Sequence, residues 1–468
     1  MSKKLLAFIF VFIMSFQLAA CGNSTSGKED TSPEGSSNSG KTEEQGEDIT
    51  ELTFMHWEGV DSQAEYEEIF AKYYETHPNI RIKQLPVDGS NYLTKLTSMA
   101  ASGDLPDLFQ MSEAYQIYWN EEGAYAKMDD DWYKEDEKKL DYCTYSYDGE
   151  FVAYQFSTEN EALFYNKDYF DEKGMEYPPS KVEDAWSWDK FVEVAKSLTF
   201  DKNGKTPNDA GFDPDNIVSY GCYISNAAWQ LHGWMAGNGG GFVSEDGKEL
   251  LLGKDESIEA VQKIADLINV YHVMPSPGVA SELSSEDILL ASNQIAMVVT
   301  GTWIMGTTVG IAAEKGELNY GIGVLPTLKV PASVNNGPTL VVSSDTKHFE
   351  EAAEFCKWFA ADENHMVVIK SGLMLPTEEK YYSSEDMIRE WADNDRHPDI
   401  EEMIDFCDYS LNHTVQTMYA HNLVMGKISE IFEDEIAPVW EGTATAQEVI
   451  KNRIMPVVEP IFESNQIN

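Results

Sequence analysis

From residue 49 onward, strand-like and helix-like stretches alternate, and that order constrains the fold more than any other feature. Residues 51–57, ELTFMHW, read as an extended apolar run. Ser62-Gln63-Ala64-Glu65 has the spacing of a capping box, and behind it Tyr66, Ile69, Phe70 and Tyr73 recur at helical intervals. His77-Pro78 ends that helix and Ile80-Arg81-Ile82 opens a second strand. The spacing predicts a helix over 91–102 with Leu93, Leu96 and Met99 inward and Gly103 at its end, then a third strand over 107–111. Strand, helix, strand, helix, strand implies parallel pairing with right-handed crossovers. In such sheets ligands sit beyond the carboxyl ends of the strands, which nominates the loops 56–61 and 112–115. Later segments continue the α/β style. Ile258, Val261, Ile264, Ala265 and Ile268 form a helix stripe, 294–300, 320–325 and 339–342 read as strands, and 349–359 reads as helix. Ile428, Ile431 and Phe432 share another helical face, and Thr445 to Glu448 has capping-box spacing. About 420 residues follow the first 48, a length that suits two lobes.

The N-terminus is of a different kind. Lys3 and Lys4 precede an apolar run over 5–16, the length of a signal-peptide core and too short to span a membrane. It ends in Leu18-Ala19-Ala20-Cys21, which resembles the bacterial lipobox, so cleavage before Cys21 and its acylation are expected. Residues 1–21 are thus read as a lipoprotein signal peptide. Residues 22–48 hold almost no apolar side chain and read as a disordered linker, with a reach of roughly 30 Å. Within it GSSNSGKT, 35–42, fits the phosphate-loop pattern letter for letter. No strand leads in and no amphipathic helix leads out, so no nucleotide is expected. The formal net charge is −48, and about −50 without Lys3 and Lys4, which argues against nucleic acid as a partner. That charge fits solubility outside the cell, or a cationic ligand.

Five ordered motifs carry a family resemblance. They are Ala101-Ser102-Gly103-Asp104-Leu105-Pro106-Asp107, Ala162-Leu163-Phe164-Tyr165-Asn166-Lys167-Asp168, Asn238-Gly239-Gly240, Gly301-Thr302-Trp303 and Asn319-Tyr320-Gly321-Ile322-Gly323-Val324-Leu325-Pro326. Together they resemble the bacterial extracellular solute-binding proteins of the maltodextrin-binding type, the capture subunits of ABC sugar importers. Thr302 stands where that pattern has proline. The resemblance implies a two-lobe periplasmic-binding-protein-like α/β fold of type II, with a ligand cleft between the lobes and hinge closure around a mono- or oligosaccharide. It places 49–160 plus about 330–375 in one lobe and 161–329 plus about 376–468 in the other. It implies an ABC permease as partner, no cofactor and no catalysis. The expected state is a monomer on the outer face of the bacterial cell membrane, anchored through Cys21. Alternatives are a receptor for a cationic solute such as a polyamine, or a tethered glycan-active enzyme.

A sugar ring needs a flat aromatic beneath its C–H face and hydrogen-bonding groups around its rim. Trp303 follows an apolar strand and a glycine, and by the resemblance matches the family's stacking tryptophan. Trp57 and Glu58 end the first strand. Glu159, Asn160 and Glu161 precede the first lobe crossing, where the family usually places a polar ligand-binding group. Ser112 and Glu113 follow the third strand, where this chain departs from maltodextrin binders. Of Trp229 and Trp234, one is expected as a second platform and the other as core. Asn336, with Asn335, is expected in a loop before the strand at 339, and Asp107 as a structural cap. No metal is assigned. The oxygen-rich stretch 201–216 has a glycine too early for a calcium loop, and Asn203-Gly204 reads as a tight turn. Carboxylates are too numerous for any glycosidase pair to stand out. Cys143, Cys222, Cys356 and Cys407 allow three full pairings, and buried unpaired thiols are expected.

Overall fold

The protein is described by a computed structural model over residues 49–57, 63–129 and 138–465. The signal peptide with Cys21, the linker, Glu58 and the capping box at 62–65 lie outside the described residues or side chains. No helix among the described residues is long and apolar enough to cross a membrane.

The first sheet holds β1 (Thr50–His56), β2 (Ile80–Pro86) and β3 (Leu108–Met111) in parallel. Helices α1 (Gln63–Thr76) and α2 (Gly89–Ser102) make the crossovers. The aromatic stripe of α1 packs on the sheet: Phe54 meets Tyr66 edge-on at 5.6 Å between ring centroids. α2 differs from the expected stripe by one position. Tyr92, Leu96 and Ala100 are buried, while Leu93 and Met99 are only half-buried. The Tyr92 hydroxyl decides this, because it reaches the backbone carbonyls of Met55 and Gln110 beneath the helix. Asp107 is the structural cap expected. Its carboxylate accepts from the Thr53 N–H and hydroxyl and from the Thr346 hydroxyl, tying β1 to the start of β3.

A small hairpin, β4 (Thr144–Tyr147) and β5 (Glu150–Tyr154), precedes the long crossing strand β6 (Glu159–Asn166). The second sheet is built on β6, with β7 (Phe200–Asp201), β8 (Ile217–Ile224), β9 (Ile295–Gly301), β10 (Tyr320–Gly323), β11 (Ser333–Asn336) and β13 (Thr414–Val415). Its order is β13-β11-β6-β9-β8-β7, with β10 also paired to β6. β12 (Thr339–Val342) leaves this sheet and pairs antiparallel with β3, so the chain returns to the first sheet. Helices α3 (Ala228–Gly237) and α4 (Asp255–Asn269) pack together beside the second sheet. Helix α5 (Phe349–Phe359) covers β12. Helices α6 (Ile400–His413) and α7 (Met425–Glu435) close the C-terminal part, and the Thr445–Glu448 capping box is formed.

Asn335 and Asn336 correct an expectation. They lie in strand β11, paired with Asn160 and Glu159, rather than in a loop. The Asn335 amide, buried and bonded to Gln155 and Thr158, outweighs the weak strand preference of asparagine. In 201–216 the turn at Gly204 is present, and the loop satisfies its own oxygens. The Asp201 carboxylate accepts from three backbone N–H groups, those of Asn203, Lys205 and Asp213. The Lys205 ammonium donates to the carbonyls of Ala210 and Gly211. The four cysteines are buried and unpaired, and burial pushes each thiol up.

A buried ionic cluster ties the segment before the hairpin to the segment after α5. Lys139 Nζ lies 3.6 Å from Asp362 Oδ1 and 3.6 Å from Glu378 Oε1, all three side chains being essentially inaccessible. Lys139 also donates to the Ala360 carbonyl and the Thr377 hydroxyl, and Asp362 accepts from the Thr377 and Glu378 N–H groups.

Candidate functional site

Strand register builds the candidate site. Antiparallel pairing sets Glu161 on β6 opposite Gly301 on β9, and residues directly opposite share a face. Gly301 has no side chain, and Trp303, in the tight turn Thr302–Gly306, folds its ring into that space. A Cβ built on Gly301 would lie 1.7 Å from the Trp303 ring. The indole therefore lies beside Glu161. Trp229, the second residue of α3, brings its ring to 6.1 Å from that of Trp303, tilted by 52°. Both rings are half-buried. Gly301→Ala is expected to drive the Trp303 ring off this seat and weaken ligand binding about tenfold; near-unchanged affinity by calorimetric titration would contradict this placement of the ring.

The period of two along β6 sorts the three polar candidates. Glu159 and Glu161 face the tryptophans. Asn160 faces the other way, where its amide bonds to the Tyr142 and Ser410 hydroxyls and its N–H to Thr302 Oγ1. Asn160 is thus bonded within the protein on the face away from the tryptophans. Glu161 is fully buried: one oxygen accepts from Gln230 Nε2 at 3.2 Å and the other has no protein partner. Desolvation raises its pKa to about 8, against the opposing effect of the Gln230 bond. Asn336 lies across from Glu159 and its Oδ1 is likewise buried without a partner.

The first sheet contributes from its carboxyl edge. Ser112 precedes the turn Glu113–Tyr115, which packs against α7 and the turn Met418–Ala420. Gly426 on α7 passes so close that a Cβ there would lie 2.8 Å from the Ala114 carbonyl oxygen. Glu113 keeps a partly accessible flank, yet its carboxyl is crowded by protein, and desolvation raises its pKa to about 7, its own backbone N–H opposing. From α7, Glu433 accepts the Ala228 N–H at 3.0 Å. It fills the N-terminus of α3, where Ala227 offers no capping side chain.

Two candidates belong elsewhere. Trp234 is core, buried and edge-on to Trp188 at 5.6 Å. Trp57 is half-buried and edge-on to Tyr92 at 5.2 Å, within the packing around α2 rather than beside Trp303. Gln230, Tyr115 and Glu433 join the site without having been singled out. Tyr115 lay in a nominated loop, whereas Glu433 is one of 81 acidic residues with nothing to distinguish it. A cavity of about 150 Å³ lies among Leu93, Leu105, Tyr115, Tyr118 and Trp119, and neither Trp229 nor Trp303 lines it.

The family model for the bacterial extracellular solute-binding proteins matches residues 57–366, more than half of the chain. The chain belongs to this family. Among curated relatives, this solute-binding protein is 23% identical over 384 residues to a maltooligosaccharide ABC transporter solute-binding lipoprotein of Streptococcus pneumoniae, covering 80% of each chain. It is 21% identical over 337 residues to the multiple sugar-binding protein of Streptococcus mutans, covering 69% of this chain and 73% of the relative. Among solved structures, it superposes on an ABC substrate-binding protein of Listeria monocytogenes in complex with cycloalternan, with a TM-score of 0.73 and 23% identity, over 88% of this chain and 99% of that one. The GacH receptor of Streptomyces glaucescens gives a TM-score of 0.70 at 18% identity, over 89% and 99%. The fold is thus the two-lobe α/β architecture of that class.

Proposed function

We propose that this solute-binding protein captures a mono- or oligosaccharide between its lobes and hands it to the permease of an ABC importer, without chemical change to the sugar. The observation that carries the reading is the Trp229–Trp303 pair set against a face of buried hydrogen-bonding groups. An apolar ring face can stack on the indoles while its hydroxyls donate to Glu161 and Asn336. Contact between the Glu113–Tyr115 turn and α7 supplies a place where the lobes can close on the ligand. The names of the relatives support the sugar class. We assign ligand contact to Trp303, Trp229, Glu159, Glu161, Asn336, Ser112 and Glu113. The lobe boundaries keep the division at 160 and 330–375, and the protein acts as a monomer held outside the bacterial cell membrane by lipid on Cys21.

The test is thermal melting of residues 49–468 against mono- and oligosaccharides, with polyamines alongside. Ligand at 100 times its Kd should stabilise the fold by about 2.7 kcal/mol. A shift with a sugar class supports the reading, provided the sugar is recovered unaltered. A shift with polyamines alone, or steady accumulation of cleaved sugar, would overturn it.

A further inference from the structure

Among the described residues the acceptors at the candidate site outnumber the donors, and the charges there share one sign. We propose that the captured saccharide carries a protonated amino group beside Trp303, and that the same site rejects acidic sugars. The inference rests on the carbohydrate reading and narrows its substrate class.

Four observations converge. First, Glu161 is fully buried and one of its carboxyl oxygens has no protein partner. By strand register that side chain stands beside the Trp303 ring, which is itself half-buried, so a sugar stacked on Trp303 arrives next to it. Second, Asn336 Oδ1, on the same face, is a second buried acceptor without a donor. Third, Glu113 approaches from the other lobe, its carboxyl desolvated by the protein around it. Fourth, the positive end of α3, a ready seat for a ligand anion, is filled by Glu433. The one basic side chain on α7, Lys427, already pairs with Glu430 at 2.9 Å. An ammonium meets all of this at once. It donates three hydrogen bonds, neutralises a carboxylate and is drawn to the faces of two indoles. A uronate carboxylate would face Glu161, Glu113 and Glu433 together.

The groups facing the two carboxyls are acidic or phenolic. Glu161 sees Glu159 on its own strand and Tyr409 from α6, with the uncharged Gln230 from α3. Glu113 sees Tyr115, Tyr145 and Tyr419; of these, Tyr115 also feels Glu430 and Glu433 of α7, and Tyr419 feels Glu433. With the two carboxyls raised to about 8 and about 7, much of each is protonated at neutral pH. Pairing with an ammonium favours the ionised form, so binding releases a proton. Affinity for an amino sugar therefore rises with pH below about 8, while affinity for a neutral sugar stays nearly flat.

The experiment is calorimetric titration at pH 6 and pH 8 with matched glucose, glucosamine, N-acetylglucosamine and glucuronate, each as monosaccharide and as tetrasaccharide. The expected result is glucosamine binding at least tenfold tighter than its N-acetylated and neutral counterparts, tightening several-fold from pH 6 to pH 8. Proton release should appear as a buffer-dependent heat, and glucuronate should not bind. Glu161→Gln should cancel most of the amine preference and abolish the buffer-dependent heat. Equal affinity for neutral and amino sugars, or binding of glucuronate, overturns the proposal and leaves the carbohydrate reading standing. If no member of the panel binds, both fall.

Discussion

Replacing Trp303 with alanine is expected to weaken saccharide binding by about 2 kcal/mol or more, roughly 30-fold, with little change in thermal stability. The ring is half-exposed, and the residue beneath it is a glycine, so truncation opens a surface hollow and not an interior void. What disappears is the flat apolar face on which a sugar ring stacks, together with the contact to Trp229 at 6.1 Å. Trp234→Ala provides the contrast. That side chain is buried against Trp188, so its loss should cost about 3–5 kcal/mol of stability through a cavity and leave the affinity of the folded fraction nearly intact. Equilibrium titration paired with urea unfolding separates the two effects. If Trp303→Ala binds sugar as tightly as the parent, the tryptophan pair is not the platform.

The second large effect concerns stability alone. Asp362→Ala should cost about 3–5 kcal/mol. The carboxylate is buried 3.6 Å from Lys139 Nζ and accepts from the N–H groups of Thr377 and Glu378 and from the Thr377 hydroxyl. Removing it leaves an ammonium short of one partner and two backbone donors short of an acceptor, all out of reach of water. Glu378 keeps part of the charge balance, also pairing with Lys380 at 2.6 Å. The cluster joins the segment at 138–140 to that at 375–379, so the loss should appear as a lower urea midpoint for the whole protein. A change under about 1 kcal/mol would mean that the Lys139–Glu378 pair alone satisfies the cluster.

The first-sheet strands and their crossover helices were legible because short apolar runs and helical stripes are local signals. The stripe of α2 was misread by one position because both the set at 93, 96 and 99 and the set at 92, 96 and 100 fit a helix. Only the tertiary reach of the Tyr92 hydroxyl chooses between them. Strand alternation could show that Glu159 and Glu161 face one way and Asn160 the other. Which face meets the ligand depends on β9 and β11, distant in sequence, and on the glycine that admits the Trp303 ring. Trp229 and Trp234 stand five residues apart on one helix, so their different fates follow from helical geometry, whereas the assignment of each required the packing of Trp188 and Trp303. Two adjacent asparagines look like a turn until their backbones are seen paired with Asn160 and Glu159 of β6.

Hydrogen exchange with and without saturating sugar tests the central claim most directly. The account predicts simultaneous slowing at 112–115 on one lobe, at 228–230 and 301–303 on the other, and at 159–161 where the chain crosses between them, because a sugar held on the tryptophan pair is covered from both sides. Slowing confined to one lobe, or centred on the cavity beside Trp119, would contradict it.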